Sequence, residues 1–166
     1  MNPLAQKTVA SPVGRVRLVA TDEALVEVHF ERDRGGAAEA RLVASHPILD
    51  RAAAELEAYF RGELREFRTP LSATGTAFQQ RTWTALGEIP YGERWSYAQL
   101  ARRIGRPKAV RAVGAANGRN PISIVTPCHR VIGSNGALTG FAGGLAAKEH
   151  LLRLEGSRAK SIGTAA

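Results

Sequence analysis

Two four-residue signals in the second half of the chain, Thr76-x-x-Gln79 and Ser96-x-x-Gln99, each set a hydroxyl three residues ahead of a glutamine. This is a capping box: the hydroxyl accepts an orphan N–H at the start of a helix, and the glutamine reaches back to the N–H of the cap. Two helix starts this close together leave room only for short helices. The first helix runs through Phe78, Trp83 and Leu86 and ends at Ile89-Pro90-Tyr91-Gly92-Glu93. The second carries Tyr97, Leu100, Ala101 and Ile104 at helical spacing and stops at Gly105. Arg106-Pro107-Lys108 is a tight turn whose proline can open a third helix, from about Ala109 to Asn117-Gly118. Two short helices joined by a glycine-containing turn form the helix-turn-helix pattern. At about 100° per residue, Val110, Val113, Gly114 and Asn117 share one side of the third helix, while Lys108, Arg111, Ala115 and Gly118 share the other. That outer face is basic and small, whereas a reader of base edges in the major groove carries long side chains.

The first seventy residues follow a different period. Residues 8–20 alternate as a half-buried strand, with Val16, Leu18 and Ala20 on one face and Arg15, Arg17 and Val19 on the other. After the turn Thr21-Asp22-Glu23 the pattern repeats from Leu25 to Phe30, which predicts an antiparallel hairpin. Glu31 to Ala38 reads as a loop, and Pro47 to Gly62 as an amphipathic helix through Ile48, Ala52, Leu56, Tyr59 and Phe60. The expected class is therefore α+β: a small α/β domain over 1–70, a linker over 71–74 where the composition turns to Pro, Ser, Thr and Gly, and a mostly helical domain over 75–166.

The net charge of +8 is unevenly spread: residues 1–70 hold 10 Lys/Arg against 11 Asp/Glu, and residues 71–166 hold 13 against 4. Between Glu93 and Glu149 there is no carboxylate, yet Arg94, Arg102, Arg103, Arg106, Lys108, Arg111, Arg119, Arg130 and Lys148 fall there. A stretch this long without acid favours a polyanionic partner, most commonly nucleic acid. One cysteine makes no internal disulfide, and no Cys/His cluster has zinc spacing, so a reducing compartment and no metal are expected. Met1 to Lys7 has no apolar signal region, and no stretch reaches membrane-spanning length. A soluble, cytoplasmic protein is the expectation.

The one cysteine, Cys128, lies in Ile124-Val125-Thr126-Pro127-Cys128-His129-Arg130-Val131-Ile132, after Asn120-Pro121 and a predicted strand Ile122-Val125. A free cysteine is most often a small buried hydrophobe. The alternative is a nucleophile held beside an imidazole and a guanidinium. Beyond it come a turn at Ser134-Asn135-Gly136, a small-residue loop at Thr139-Gly140-Phe141-Ala142-Gly143-Gly144 able to approach a ligand closely, and a last helix from Leu145 to Glu155 that stops at Gly156.

Thr76-x-Phe78-Gln79, Ile89-Pro90-Tyr91-Gly92-Glu93, Ser96-Tyr97, Arg111-Ala112-Val113-Gly114, Asn120-Pro121, Pro127-Cys128-His129-Arg130-Val131 and Gly143-Gly144 occur in an order and at spacings that resemble the O6-alkylguanine-DNA alkyltransferases, the methylated-DNA-protein-cysteine methyltransferases. The specific match spans residues 74–156, and residues 1–70 match in general layout. The resemblance implies an N-terminal ribonuclease H-like sheet domain and a C-terminal winged helix-turn-helix-like domain. It also implies a single-use reaction without cofactor, in which the alkyl group on O6 of guanine in double-stranded DNA, or on O4 of thymine, passes to the Cys128 sulfur and stays there. The protein would act as a monomer, with cooperative assembly on DNA left open.

Displacement at an alkyl carbon calls for a soft nucleophile, and the thiolate is the reactive form of cysteine. By resemblance, His129 takes the thiol proton through a water, since neighbours in an extended segment point apart, and Glu155 orients that imidazole. Tyr97 donates to guanine N3, the backbone carbonyls of Cys128 and Val131 accept from the exocyclic amine, and the N–H of Ala142 faces O6. A base inside a duplex must be flipped out to react. Arg111 matches the residue that fills the vacated stack, and Ala112, Gly114, Ala115 and Gly118, with Lys108 beside them, let the helix lie close in the minor groove. Asn120 matches the asparagine that ties this helix to the active-site segment. Many members have Tyr at Phe141 and some have Ser at Ala142, so two hydroxyls near the alkyl pocket are missing, which implies an altered preference for bulky groups. A damage sensor that binds without repairing is the alternative, and Cys128 argues against it. A cysteine hydrolase would need an oxyanion-hole signature the chain lacks.

Overall fold

The computed structural model describes residues 3–31 and 39–156. The loop predicted over Glu31–Ala38 lies almost wholly outside them. The chain divides into two compact units, one holding the residues up to Thr74 together with Pro121–Val125, the other holding Gly75–Asn120 and the residues from Thr126 onward.

The first unit is a four-stranded sheet in the order β3-β2-β1-β4 with one helix. Strands β1 (Ala5–Val9), β2 (Val16–Ala20) and β3 (Leu25–Phe30) are antiparallel neighbours, and the two-residue β4 (Arg41–Leu42) adds to β1 in parallel. The single strand expected over 8–20 is thus two strands. Pro12, with no N–H to give a ladder, sits in a turn closed by Gly14 N–H on Ser11 O at 3.1 Å. Helix α1 (Pro47–Phe60) starts under His46, whose Nδ1 accepts from the N–H groups of Ile48 and Leu49, and buries Leu49, Ala52, Leu56 and Tyr59. Burying each of the three larger side chains is worth roughly 1.5–3 kcal/mol. Two short segments finish the β3 edge: Pro70 O and Ser72 N–H bond to Leu25, and Pro121 O and Ser123 N–H bond to Val28. The strand predicted at Ile122–Val125 is reduced to that one bridge, because Ile124 has φ +71°. A β-branched residue in this region is strained and cannot continue an extended ladder.

In the second unit both capping boxes form as read. Thr76 and Gln79 open α2 (Ala77–Leu86), and Ser96 and Gln99 open α3 (Tyr97–Arg103), each with both reciprocal bonds. Helix α4 (Val110–Gly118) follows the Gly105 turn and packs on α2 and α3 through Val113, Ala116 and Asn117. Trp83 Nε1 donates to Ala116 O at 2.8 Å and ties α2 to α4. Val110 shares the inner stripe by angle but is 37% exposed. Its Cβ leans toward the helix start and projects past the packed contact. A single 3₁₀ turn holds Cys128–Arg130, β6 (Val131–Ile132) pairs in parallel with β5 (Trp95–Ser96), and α5 (Leu145–Leu154) buries Ala147, Lys148, Leu151 and Leu152. Among the described residues no helix is long and apolar enough to cross a membrane.

Candidate active site

Cys128 opens the 3₁₀ turn and is 6% exposed. The sequence reading put it in an extended segment. In a 3₁₀ turn successive side chains are about 120° apart, so Cys128 and His129 still point in different directions. Burial pushes the thiol above its ordinary range, against a hydrogen bond from the Asn120 side chain and the Lys148 charge, which pull it down. The resting thiol is protonated.

His129 is fully buried, and burial holds its imidazole below the ordinary histidine range, against the raising effect of Glu155. Its Nε2 lies 2.8 Å from Glu155 Oε2. Burial alone would raise the Glu155 carboxyl, but the His129 hydrogen bond and the Arg130 guanidinium outweigh it and bring it down to about 2. An ionised carboxylate only accepts, so Nε2 carries the imidazole proton and Nδ1 presents a lone pair. That Nδ1 is buried and has no hydrogen-bond partner among the described residues. Next to the thiol there is thus a neutral base of fixed tautomer with its basic nitrogen unengaged.

Arg130 makes the second half of this cluster. Nε donates to Glu155 Oε1 at 2.8 Å, one Nη to Glu155 Oε2 at 3.1 Å, and the other Nη to Ile89 O at 2.7 Å. The guanidinium also lies 5.7 Å from the Tyr91 ring centre, and the Tyr91 hydroxyl donates to Leu154 O. Ile89-Pro90-Tyr91-Gly92-Glu93, read in the sequence as a helix stop, therefore also backs the Arg130–Glu155 pair. The sequence places the Arg130 guanidinium beside Cys128 but does not show its pairing with Glu155, because that partner is 25 residues away.

Lys148 was read only as part of the charge run. It is fully buried, donates to Val131 O at 2.7 Å and Thr139 O at 3.1 Å, and burial lowers its pKa to about 8. The legible signal was its place on the apolar stripe of α5 with Leu151, Leu152 and Glu155. Asn117, read as a packing position, donates to Cys128 O at 3.4 Å, while its Oδ1 is buried without a partner among the described residues. Asn120 Nδ2 donates to Thr126 O at 2.8 Å and so joins the end of α4 to the Cys128 segment.

Tyr97, the first residue of α3, is half-buried, and its hydroxyl lies 2.6 Å from Thr139 Oγ1. Phe141 stands edge-on to His129, with ring centres 6.5 Å apart. The loop turns back there because Gly144 takes φ +92° and ψ 158°, a region open in practice to glycine alone, and its N–H bonds Phe141 O. Ala142 is exposed on that loop. Lys108, Arg111, Ala112, Ala115 and Gly118 are exposed along α4 and its leading turn, and Gly114, half-buried, packs toward Tyr97. Among the described residues Arg102, Arg106, Lys108, Arg111 and Arg119 have neither an ion pair nor a side-chain hydrogen bond to protein. A cavity of about 530 Å³ in the first unit has no cysteine or histidine in its lining; the Ser11 hydroxyl there donates to Gly14 O, and the charged lining residues are paired, Lys7 with Asp50 and Arg61 with Glu57.

The ribonuclease-like domain of 6-O-methylguanine DNA methyltransferase matches residues 4–73 as a family model, and the DNA binding domain of the same family matches residues 77–157. The chain is 50% identical over 148 residues to a methylated-DNA-protein-cysteine methyltransferase of Methanosarcina acetivorans, covering 89% of this chain and 95% of that one. A Haemophilus influenzae protein of the same name is 47% identical over 147 residues, with 87% and 82% covered. Similar solved structures include Mycobacterium tuberculosis O6-methylguanine methyltransferase, at TM-score 0.84 and 44% identity over 94% of each chain. Another is Mycobacterium tuberculosis OGT in complex with DNA, at TM-score 0.86 and 42% identity over 95% of this chain and 98% of that one. With both of its units matched, the chain belongs to the 6-O-methylguanine DNA methyltransferase family.

Proposed function

We propose that the protein repairs DNA by direct reversal, moving the alkyl group of O6-alkylguanine irreversibly to its own Cys128. The observation that carries this reading is the buried neutral His129, with Nε2 committed to Glu155 and Nδ1 open, in the residue next to a buried, protonated thiol. The Cys128 proton passes through a water to Nδ1. The sulfur then attacks the alkyl carbon, the carbon–O6 bond breaks with its electron pair going to guanine, and the thioether remains. Glu155 stabilises the imidazolium so formed, and Arg130 keeps Glu155 ionised. Tyr97 donates to N3 of the departing base.

DNA is held by the exposed basic residues around α4, with the small face of that helix in the minor groove and Arg111 filling the space left by the flipped nucleotide. The carbonyls of Cys128 and Val131 orient the guanine amine. The Cys128 carbonyl already accepts from Val131 N–H and from Asn117 at 3.4 Å, so the amine competes with the longer of these bonds. The protein acts as a monomer, and a reducing cytoplasm suits a lone reactive thiol. Incubation with a duplex containing one O6-methylguanine should add a single methyl group to Cys128 by mass spectrometry and restore guanine in the oligonucleotide. Tight binding with the lesion intact would instead make this a damage sensor.

A further inference from the structure

The one described partner of the Tyr97 hydroxyl is Thr139 Oγ1, at 2.6 Å. Among the described residues neither hydroxyl has a second hydrogen-bond partner, and each has one proton to give. If Tyr97 spends its proton on Thr139, none is left for a leaving group. If Thr139 donates, the phenol keeps its proton for a third atom, and accepting a hydrogen bond makes it a stronger donor. Thr139 is also held in place from below. Its carbonyl accepts from the fully buried Lys148 ammonium, which at the same time holds Val131 O on β6, three residues from Cys128.

We infer that Thr139 is a positioning residue for leaving-group protonation: its O–H donates to the Tyr97 phenol oxygen and so directs the phenol proton at the departing guanine. The inference rests on the alkyl-transfer reading above. As the carbon–O6 bond breaks and its electron pair moves into the base, the Tyr97 proton moves toward N3, and the negative charge growing on the phenol oxygen is carried by the Thr139 hydroxyl. Thr139 acts on the base side of the reaction and leaves the ionisation of Cys128 to His129.

The test separates the two sides. Single-turnover methyl transfer from an O6-methylguanine duplex is measured for wild type, Thr139→Val, Thr139→Ser, Tyr97→Phe and the Tyr97→Phe/Thr139→Val double variant. Carbamidomethylation of Cys128 by iodoacetamide is measured in parallel, because iodide leaves without a proton. Thr139→Val should slow methyl transfer roughly 3- to 10-fold, the loss of one hydrogen bond, and Thr139→Ser should restore most of it. The iodoacetamide rate should stay within about twofold of wild type, and the double variant should be no slower than Tyr97→Phe alone, because coupled residues are not additive. Wild-type methyl transfer by Thr139→Val, an equal loss of iodoacetamide reactivity, or additive losses in the double variant would overturn the inference. If the wild type reacts with iodoacetamide but takes no methyl from the duplex, the alkyl-transfer reading fails and the inference falls with it.

Discussion

Replacing Glu155 by glutamine tests the electrostatic logic of the site, because the substitution keeps size and removes one acceptor. Both carboxylate oxygens accept N–H donors: Arg130 Nε on Oε1, and an Arg130 Nη together with His129 Nε2 on Oε2. Glutamine has one oxygen. If its NH₂ takes the Oε1 position, it faces Arg130 Nε–H, donor against donor. If it takes the Oε2 position, it faces an Nη–H and His129, and the imidazole must move its proton to Nδ1 to accept. In either orientation the buried guanidinium loses its counter-charge. A carboxyl at about 2 instead of 4.5 contributes about 3 kcal/mol at neutral pH, in line with the roughly 3–5 kcal/mol lost on breaking buried pairs. Because its folded pKa is depressed, this contribution is present above about pH 4.5 and lost as pH falls toward 2. Urea unfolding at pH 7 should therefore show Glu155→Gln less stable by about 3 kcal/mol. Methyl transfer by the folded fraction should fall roughly 10²–10⁴-fold, the usual worth of a general base. The deficit should shrink above the pKa of the thiol, where Cys128 ionises unaided. A folded Glu155→Gln protein transferring methyl within threefold of wild type at pH 7 would refute the assigned tautomer and the base.

Burial holds His129 below 6.5, so the acid limb of the methyl-transfer rate should have its midpoint below pH 6.5, measurable by rapid quench across pH 4.5–8. The same depression means the unfolded chain binds the proton first, so this group should cost stability as pH falls through about 6.5, seen in the pH dependence of the urea midpoint. Arg111→Ala should slow repair of duplex by about tenfold or more while leaving reaction with free O6-benzylguanine within about threefold, and duplex affinity should fall steeply with salt in titrations. Gly92→Ala should lower stability by about 1–2 kcal/mol in thermal melts. Gly92 has φ +86°, and an added Cβ would come 3.2 Å from Glu155 O.

Local signals were legible where the chain satisfies its own backbone. Both capping boxes, the Gly105 turn and the extents of α1 and α5 lie close to the sequence reading because each depends on residues within one turn. Errors came where distant contacts decide. The β1–β2 turn hides inside an alternating run that Pro12 interrupts without changing its period. Ile122–Val125 has the composition of a strand, yet Ile124 is held in a conformation that no propensity favours. In the site, Cys128 stood out by its motif context, and His129, Tyr97 and Glu155 were named by the family resemblance. The partner of Arg130 and the parts played by Lys148 and Thr139 were not legible, because a guanidinium, an ammonium and a hydroxyl look like surface groups until the fold closes carbonyls and a carboxylate around them.

That closure gives the site its chemical character. An enzyme that turns over many times gains from a thiol kept ionised, but a protein whose thioether is permanent loses itself to any stray electrophile that meets a thiolate. Burial raises the Cys128 thiol, and the charge of the buried Lys148, which lowers it, does not reverse the shift. The base proposed to compensate stands in the adjacent residue, neutral and with its lone pair unengaged among the described residues. Reactivity is therefore stored as a proton acceptor and not as a standing thiolate. In the proposed mechanism the sulfur becomes a nucleophile as its proton passes to His129, and the same burial that makes Cys128 slow at rest makes its thiolate strong when it forms.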